Sequence, residues 1–287
     1  MIRWPDEVRA SLRNDALPKI ANQVPHSGTL RAMEPDIDPK NIVGSIIKGS
    51  RLLDLYSTDR RELSLGDFTR ETGYNKTTTY RLLQTLVAVG WLVRSANGGY
   101  RLGTRLLVLG AIARADLDLR NEALPFMQRL ADEFGDTAFL MVPGQHGAVT
   151  IETSVGSNPV QVHGLAVGAV IPYHVAAGPV VLAAFSPEIE AVALAGERRQ
   201  FTPRSTTAKA ALRAKLAEVR EQGYAISMED YIEDVCAVAA PVLGPDGHAV
   251  ASLSVGGPTN RFTDDLCERT VARVIEFAAE LSTRMNS

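Results

Sequence analysis

Apolar residues at positions 42, 43, 46, 47, 52, 53 and 55 recur at helical spacing and predict a helix over 42–56 with one buried stripe. A polar stretch, 58–61, follows. Ser64 then stands three residues before Asp67, a capping-box-like start for a second, short helix. Gly73 is its natural left-handed stop. A third helix is expected between Asn75 and Gly90, capped by Asn75 or Thr77. Its expected buried face is Tyr80, Leu83, Leu86 and Val87. Two short β-prone runs, 91–94 and 100–102, flank Asn97-Gly98-Gly99, which signals a hairpin. Two short helices about a glycine turn, followed by a hairpin, make a winged helix-turn-helix.

The remainder alternates differently. Helical patterns occupy 106–119, 121–134 (closed by Gly135), 175–185, 207–221 (closed by Gly223) and 262–285. Between them lie β-prone runs at 138–142, 148–154, 160–163, 235–243 and 248–255. The last two are joined by Gly244-Pro245-Asp246-Gly247, a strong turn. The expected class is α+β, with an antiparallel sheet flanked by helices. The expected organisation is an N-terminal arm (1–39, with a short helix near 6–13), a winged helix-turn-helix (40–103), a linker helix (104–119) and a larger C-terminal domain (120–287). A length of 287 residues suits two domains.

Charge sharpens this division. Residues 40–103 carry ten Lys/Arg and five Asp/Glu, while the whole chain carries −3. A small basic module therefore precedes a larger acidic one, the asymmetry of a nucleic-acid reader joined to a different working domain. The 45% hydrophobic content is ordinary for a globular protein. Two cysteines, Cys236 and Cys267, exclude a disulfide framework and a four-cysteine zinc site. The pattern shows no signal peptide or transmembrane run, so a cytoplasmic protein with no membrane partner is expected.

The third helix opens Asn75-Lys76-Thr77-Thr78-Thr79-Tyr80-Arg81. Base-edge contacts in helix-turn-helix proteins come from the start of the second, recognition helix. Lys76, Thr77, Thr78 and Thr79 stand there as candidate DNA contacts. Arg81 is placed to reach a phosphate, and Tyr80 reads either as core or as a phosphate contact. Lys48 and Ser50 near the first helix, and Arg101 on the wing, are further backbone-contact candidates; a solvated face is the alternative.

The text "ELSLGDFTRETGYNKTTTYRLLQTLVAVGWLVRSANGGYRLGTRLLVLG" resembles the IclR family of bacterial transcription regulators. It carries the family's lysine, hydroxyl pair and Tyr-Arg-Leu-Leu at positions 76–83, and its Tyr-Arg-Leu-Gly at 100–103. "GYAISMEDYIEDVCAVAAPVLGPDGHAVASLSVGGP" is similar to the signature of the family's GAF-like effector-binding domain. The resemblance spans about residues 43–284. It implies a near-palindromic double-stranded operator, a small-molecule effector and self-association as a homodimer or tetramer; some members of the family carry a metal in this domain, but no cofactor is expected here. It places the effector against His163, Ala177, Gly178, Ser227, Val235, Ala237, Ser254 and Gly256.

Several positions depart from the family pattern. Ser227 and Met228 replace acids ahead of Glu229-Asp230, and Pro179 replaces a lysine after Gly178. The family's second serine is Gly256, with Ser254 kept. The family's cysteine falls on Ala237; Cys236 is one residue early and belongs on the opposite face of a strand. These losses of polarity favour an apolar, aromatic acid over a very small polar one such as glyoxylate.

An enzyme reading finds no nucleophile, base and orienter in sequence, and His146, His163 and His174 lack metal-ligand spacing. The reading is a ligand-responsive DNA-binding regulator of genes for small-acid catabolism. The alternatives are a constitutive DNA-binding protein whose C-terminal half only assembles, and an enzyme acting on a small acid.

Overall fold

A computed structural model describes residues 43–57, 60–115, 118–162 and 165–286. The N-terminal arm, the helix expected near 6–13 and His163 lie outside these residues. The chain divides into two compact units, with the break between Leu117 and Asp118.

In the first unit, helices α1 (Gly44–Leu53), α2 (Leu65–Thr72) and α3 (Lys76–Ala88) precede strands β1 (Leu92–Arg94) and β2 (Tyr100–Leu102), and α4 (Thr104–Ala115) follows. The local chemistry sets these boundaries. Ser64 and Asp67 close a reciprocal capping box: the Asp67 N–H donates to Ser64 Oγ at 3.2 Å, and the Ser64 N–H donates to Asp67 Oδ2 at 2.9 Å. Those Ser64 donors, with Arg70, hold the Asp67 carboxyl well below the usual carboxylate range. Gly73, at φ 69°, ends α2, and Asn75 caps α3 by accepting from the Thr78 N–H at 2.8 Å. The strands pair antiparallel, Leu92 opposite Leu102 and Arg94 opposite Tyr100. Gly103 returns the wing against Gly90, where a Cβ would lie 2.2 Å from the Gly90 carbonyl oxygen.

The core of this unit is Leu52, Leu63, Phe68, Leu83, Leu86, Leu92 and Tyr100. Phe68 is its centre, fully buried and edge-on to Tyr56 at 5.9 Å and to Tyr100 at 6.1 Å. By contrast, α1 exposes Val43, Ile46 and Ile47, and α4 exposes Leu107, Val108, Leu109 and Ile112.

The second unit begins with α5 (Asp118–Phe134) and contains strands β3 (Thr137–Gly144), β4 (Gly147–Ser154), β5 (Val170–Ile171), β6 (Ala225–Met228), β7 (Val235–Leu243) and β8 (Ala249–Pro258). The sheet order is β5-β4-β3-β8-β7-β6, with every neighbouring pair antiparallel. Helices α6 (Ala177–Ala184), α7 (Pro187–Ala195) and α8 (Lys209–Gln222) come between β5 and β6, and α9 (Asp264–Met285) closes the unit. The class is α+β with an antiparallel sheet. No single helix among the described residues is long and apolar enough to cross a membrane.

Alternation along the strands separates two cores. Phe139, Met141, Ala225 and Ala239 pack with α6 and α8 residues such as Val180, Val181, Leu212 and Leu216. Cys236 and Val238 pack with Cys267 and Val271 of α9. Opposite residues in a ladder share a face, so one register decides the whole division.

The expected strand at 160–163 is not formed over its described residues. Gln161 is instead tied into a loop: its Nε2 donates to the carbonyls of Gly156 and Asn158, and its Oε1 accepts from Thr137 Oγ1. The strand that joins this edge is β5, opposite Ala148 and Val149. The expected helix over 106–119 ends earlier, at Ala115, and α5 starts at Asp118 rather than at 121. Two elements carry signals not used in the sequence reading. They are α7, started by proline in its first turn, and β6, whose burial alternates along Ala-Ile-Ser-Met.

Candidate functional site

Helix α3 presents the candidate residues on two sides. Lys76, Thr77, Tyr80 and Arg81 are exposed, and Thr78 is half-buried. The side chains of Lys76, Thr77, Tyr80 and Arg81 have no hydrogen-bond or ion-pair partner among the described residues. Thr79 departs from the expected contact set. It is fully buried, and its hydroxyl donates back to the Asn75 carbonyl at 3.1 Å. The helix buries Thr79, Leu83 and Leu86, spaced four and three, so the stripe lies one residue off the expected Tyr80. A threonine fits there because its methyl packs while its hydroxyl is satisfied by the preceding turn. Tyr80, 45% exposed, is left on the outside with Arg81.

Lys76 also lines a cleft with Leu65, Gly66, Thr69 and Arg70. Arg70 was absent from the candidates. It is partly neutralised by Asp67 at 2.5 Å and by Glu71. Arg60 is engaged similarly, with both terminal nitrogens on Glu71 at 3.0 and 2.6 Å. Lys48 lies over the Tyr74 ring at 5.8 Å, while Ser50 and Arg101 are exposed. Both cations of α3, Lys76 and Arg81, are by contrast without an ion pair among the described residues.

In the second unit, the ladder sets most of the effector candidates in rows. Ser227 pairs with Ala237, Ala237 with Gly256, and Gly256 with Thr137. The next row runs Ala225, Ala239, Ser254 and Phe139. Val235 shares this face by alternation, at the strand's start opposite Pro258. Ala177 and Gly178 approach from α6. A Cβ on Gly178 would lie 3.0 Å from both Met141 Sδ and Ser252 Oγ, so glycine lets the helix sit close to the sheet. The face is small and apolar at its centre, with Ser227 and Ser254 buried.

Beside it lies a cluster centred on Asp230, of which only Ser227 was an expected effector contact, although the Glu229-Asp230 pair marked its place. Asp230 is 4% exposed. Its Oδ1 accepts from the Ala176 N–H at 2.9 Å and from the Ser227 hydroxyl, and its Oδ2 accepts from Lys215 Nζ at 2.7 Å. Nearby, His174 Nε2 lies 2.9 Å from the Arg199 carbonyl oxygen, and Phe201 stands 5.0 Å from Tyr231. Among the described residues no three His, Cys, Asp or Glu side chains cluster as a metal site. Cys236 lies on the face towards α9, as its one-residue offset requires, and burial pushes its thiol far above the usual range.

Comparison with known proteins matches both units. Residues 45–96 match the IclR helix-turn-helix domain, and residues 112–283 match the bacterial transcriptional regulator IclR C-terminal family. The chain is 31% identical to the HTH-type transcriptional regulator XynR of Escherichia coli K12, over 78% of this chain and 89% of that one. It is 32% identical to the glycerol operon regulatory protein of Streptomyces griseus, over 84% and 95%. Among solved structures, it resembles an IclR transcriptional regulator from Alicyclobacillus acidocaldarius at TM-score 0.73 and 28% identity, covering 85% of this chain and all of the other. An IclR homolog from Microbacterium hydrocarbonoxydans, complexed with 4-hydroxybenzoate, aligns at TM-score 0.68 and 26% identity, over 84% and 98%. The curated relatives are named as regulators. With a recognition helix free to meet nucleic acid and both family domains in order, the chain belongs to the IclR family of transcriptional regulators and binds DNA through its helix-turn-helix.

Proposed function

We propose that this regulator responds to a small organic acid, an aromatic one by preference, and controls genes for that acid's catabolism. The observation that carries the reading is the sheet face beneath α6. Its small side chains Ala237, Ala239 and Gly256 stand next to Phe139, Ser227 and Ser254. Small, weakly polar side chains of this kind have the chemistry that suits a flat apolar ring with few polar groups. The 4-hydroxybenzoate complex of the Microbacterium homolog supports the same class.

On the DNA side, Lys76, Thr77, Thr78 and Arg81 would enter the major groove, with Tyr80, Lys48, Ser50 and Arg101 near the backbone. Two copies of the chain would read the half-sites of a near-palindromic operator. The exposed apolar residues of α1 and α4 support self-association. An effector that binds one arrangement of the dimer more tightly than another would change operator affinity by that difference.

The test is binding of the purified protein to DNA upstream of its own gene, at several salt concentrations, with and without aromatic and aliphatic acids. The expected result is tight binding that weakens with salt and is changed at least about fivefold by one aromatic acid. Salt-dependent binding that no acid alters would favour the constitutive alternative.

A further inference from the structure

We infer that Asp230 is a positioning residue for effector recognition: it pins the start of α6 in a backbone conformation that alanine otherwise avoids. Three described residues other than glycine have positive φ: Ala176 at 56°, Glu229 at 57° and Asp234 at 59°. Ala176 precedes α6; the other two bracket the β6–β7 turn. Asp230 links these two places. At φ 56° and ψ 152°, Ala176 occupies a region that is essentially reserved for glycine.

Several hydrogen bonds hold the residue that imposes this conformation. Thr202 Oγ1 donates to the Glu229 carbonyl at 2.6 Å, and Ser205 Oγ donates to the Asp230 carbonyl at 2.7 Å. The Glu229 N–H donates to the Val235 carbonyl at 2.8 Å. Lys215 balances the buried carboxylate, so its charge does not repel an acid. The turn is thus braced, and its carboxylate takes the Ala176 N–H. No side chain caps α6, and the next two amides, Ala177 and Gly178, have no acceptor within the helix. Their direction follows from the backbone at Ala176. Losing the Asp230 acceptor would let Ala176 relax to negative φ and re-aim both amides.

The inference rests on the proposed effector face, so its test has one arm that needs no effector. Amide hydrogen exchange across residues 174–182 of the full-length protein is compared among wild type, Asp230→Ala, Asp230→Asn, Ala176→Gly and the Asp230→Ala/Ala176→Gly double variant. Asp230→Ala is expected to speed exchange there about tenfold or more while leaving β3 and β8 protected. Asp230→Asn keeps an acceptor and slow exchange. The double variant returns towards wild type, because glycine adopts the Ala176 conformation without strain.

Uniformly faster exchange in Asp230→Ala, or no recovery in the double variant, would overturn the inference. Should Asp230→Ala fail to fold, fast local exchange in Asp230→Asn would overturn it instead. The second arm titrates 4-hydroxybenzoate. Where wild type binds it, Asp230→Ala is expected to weaken binding about tenfold, with recovery in the double variant. Changed exchange with unchanged binding would remove Asp230 from ligand placement. No binding by wild type would count against this compound as effector, and the exchange arm would still decide the anchor.

Discussion

Arg81→Ala is expected to lower affinity for the operator about tenfold or more, with the fold intact. Arg81 is exposed on α3, one turn beyond the helix start, with no partner among the described residues. Its removal leaves nothing buried and unpaired. Its charge, like that of Lys76, is not spent on a carboxylate, whereas Arg60 and, on α2, Arg70 are paired with acids. If it meets a phosphate, the loss is similar for every sequence, and the slope of log affinity against log salt falls by about one. If it meets a base, specificity at that position relaxes while the slope changes little. Fluorescence anisotropy on operator and scrambled DNA, at several salt concentrations, separates the two. Unchanged affinity on both would remove the exposed face of α3 from the interface. Thr77→Ala and Thr79→Ala form a useful control pair. The first should alter DNA affinity, the second stability, because Thr79 is buried.

Phe68→Ala is expected to cost about 3–5 kcal/mol, a large share of what a small domain has. The ring is fully buried, touches Tyr56 and Tyr100 edge-on, and belongs to α2. The void would open beneath the wing as well as between the helices. DNA binding should vanish near physiological temperature, while the second unit keeps its own melting transition. Calorimetry of the full chain checks this: the transition belonging to the first unit should move down or disappear. A single unchanged transition would contradict the two-unit division.

Much of the first unit was legible because its signals are local. Ser64 with Asp67, Gly73, Asn75 and Asn97-Gly98-Gly99 each act within four residues, and the structure uses each as written. The error there was one of phase. Tyrosine looks like core and threonine like surface, yet α3 buries Thr79 and exposes Tyr80 because Leu83 and Leu86 set the stripe. In the second unit, the long strands β3, β4, β7 and β8 were readable from their apolar runs and from the Gly-Pro-Asp-Gly turn. The parity argument for Cys236 also held, since face follows from counting by two. The run at 160–163 misled because strand-like composition cannot reveal that Gln161 is claimed by a loop. The Asp230 cluster was hidden for a related reason. Ser227 and Asp230 are neighbours in sequence, but Lys215, Thr202 and Ala176 stand 15, 28 and 54 residues before Asp230 and meet it only through the fold.

The position of the two cysteines has a use apart from regulation. Both lie in the second unit, both are essentially inaccessible, and the first unit contains none. Burial raises their thiols, Cys267 to about 11, so they are also poor nucleophiles in place. A thiol reagent should therefore read how often the sheet and α9 part from each other, blind to events in the DNA-binding unit. Bound effector would slow that clock. DNA would leave it unchanged unless the two halves communicate, so its rate with and without operator is a direct gauge of coupling between them.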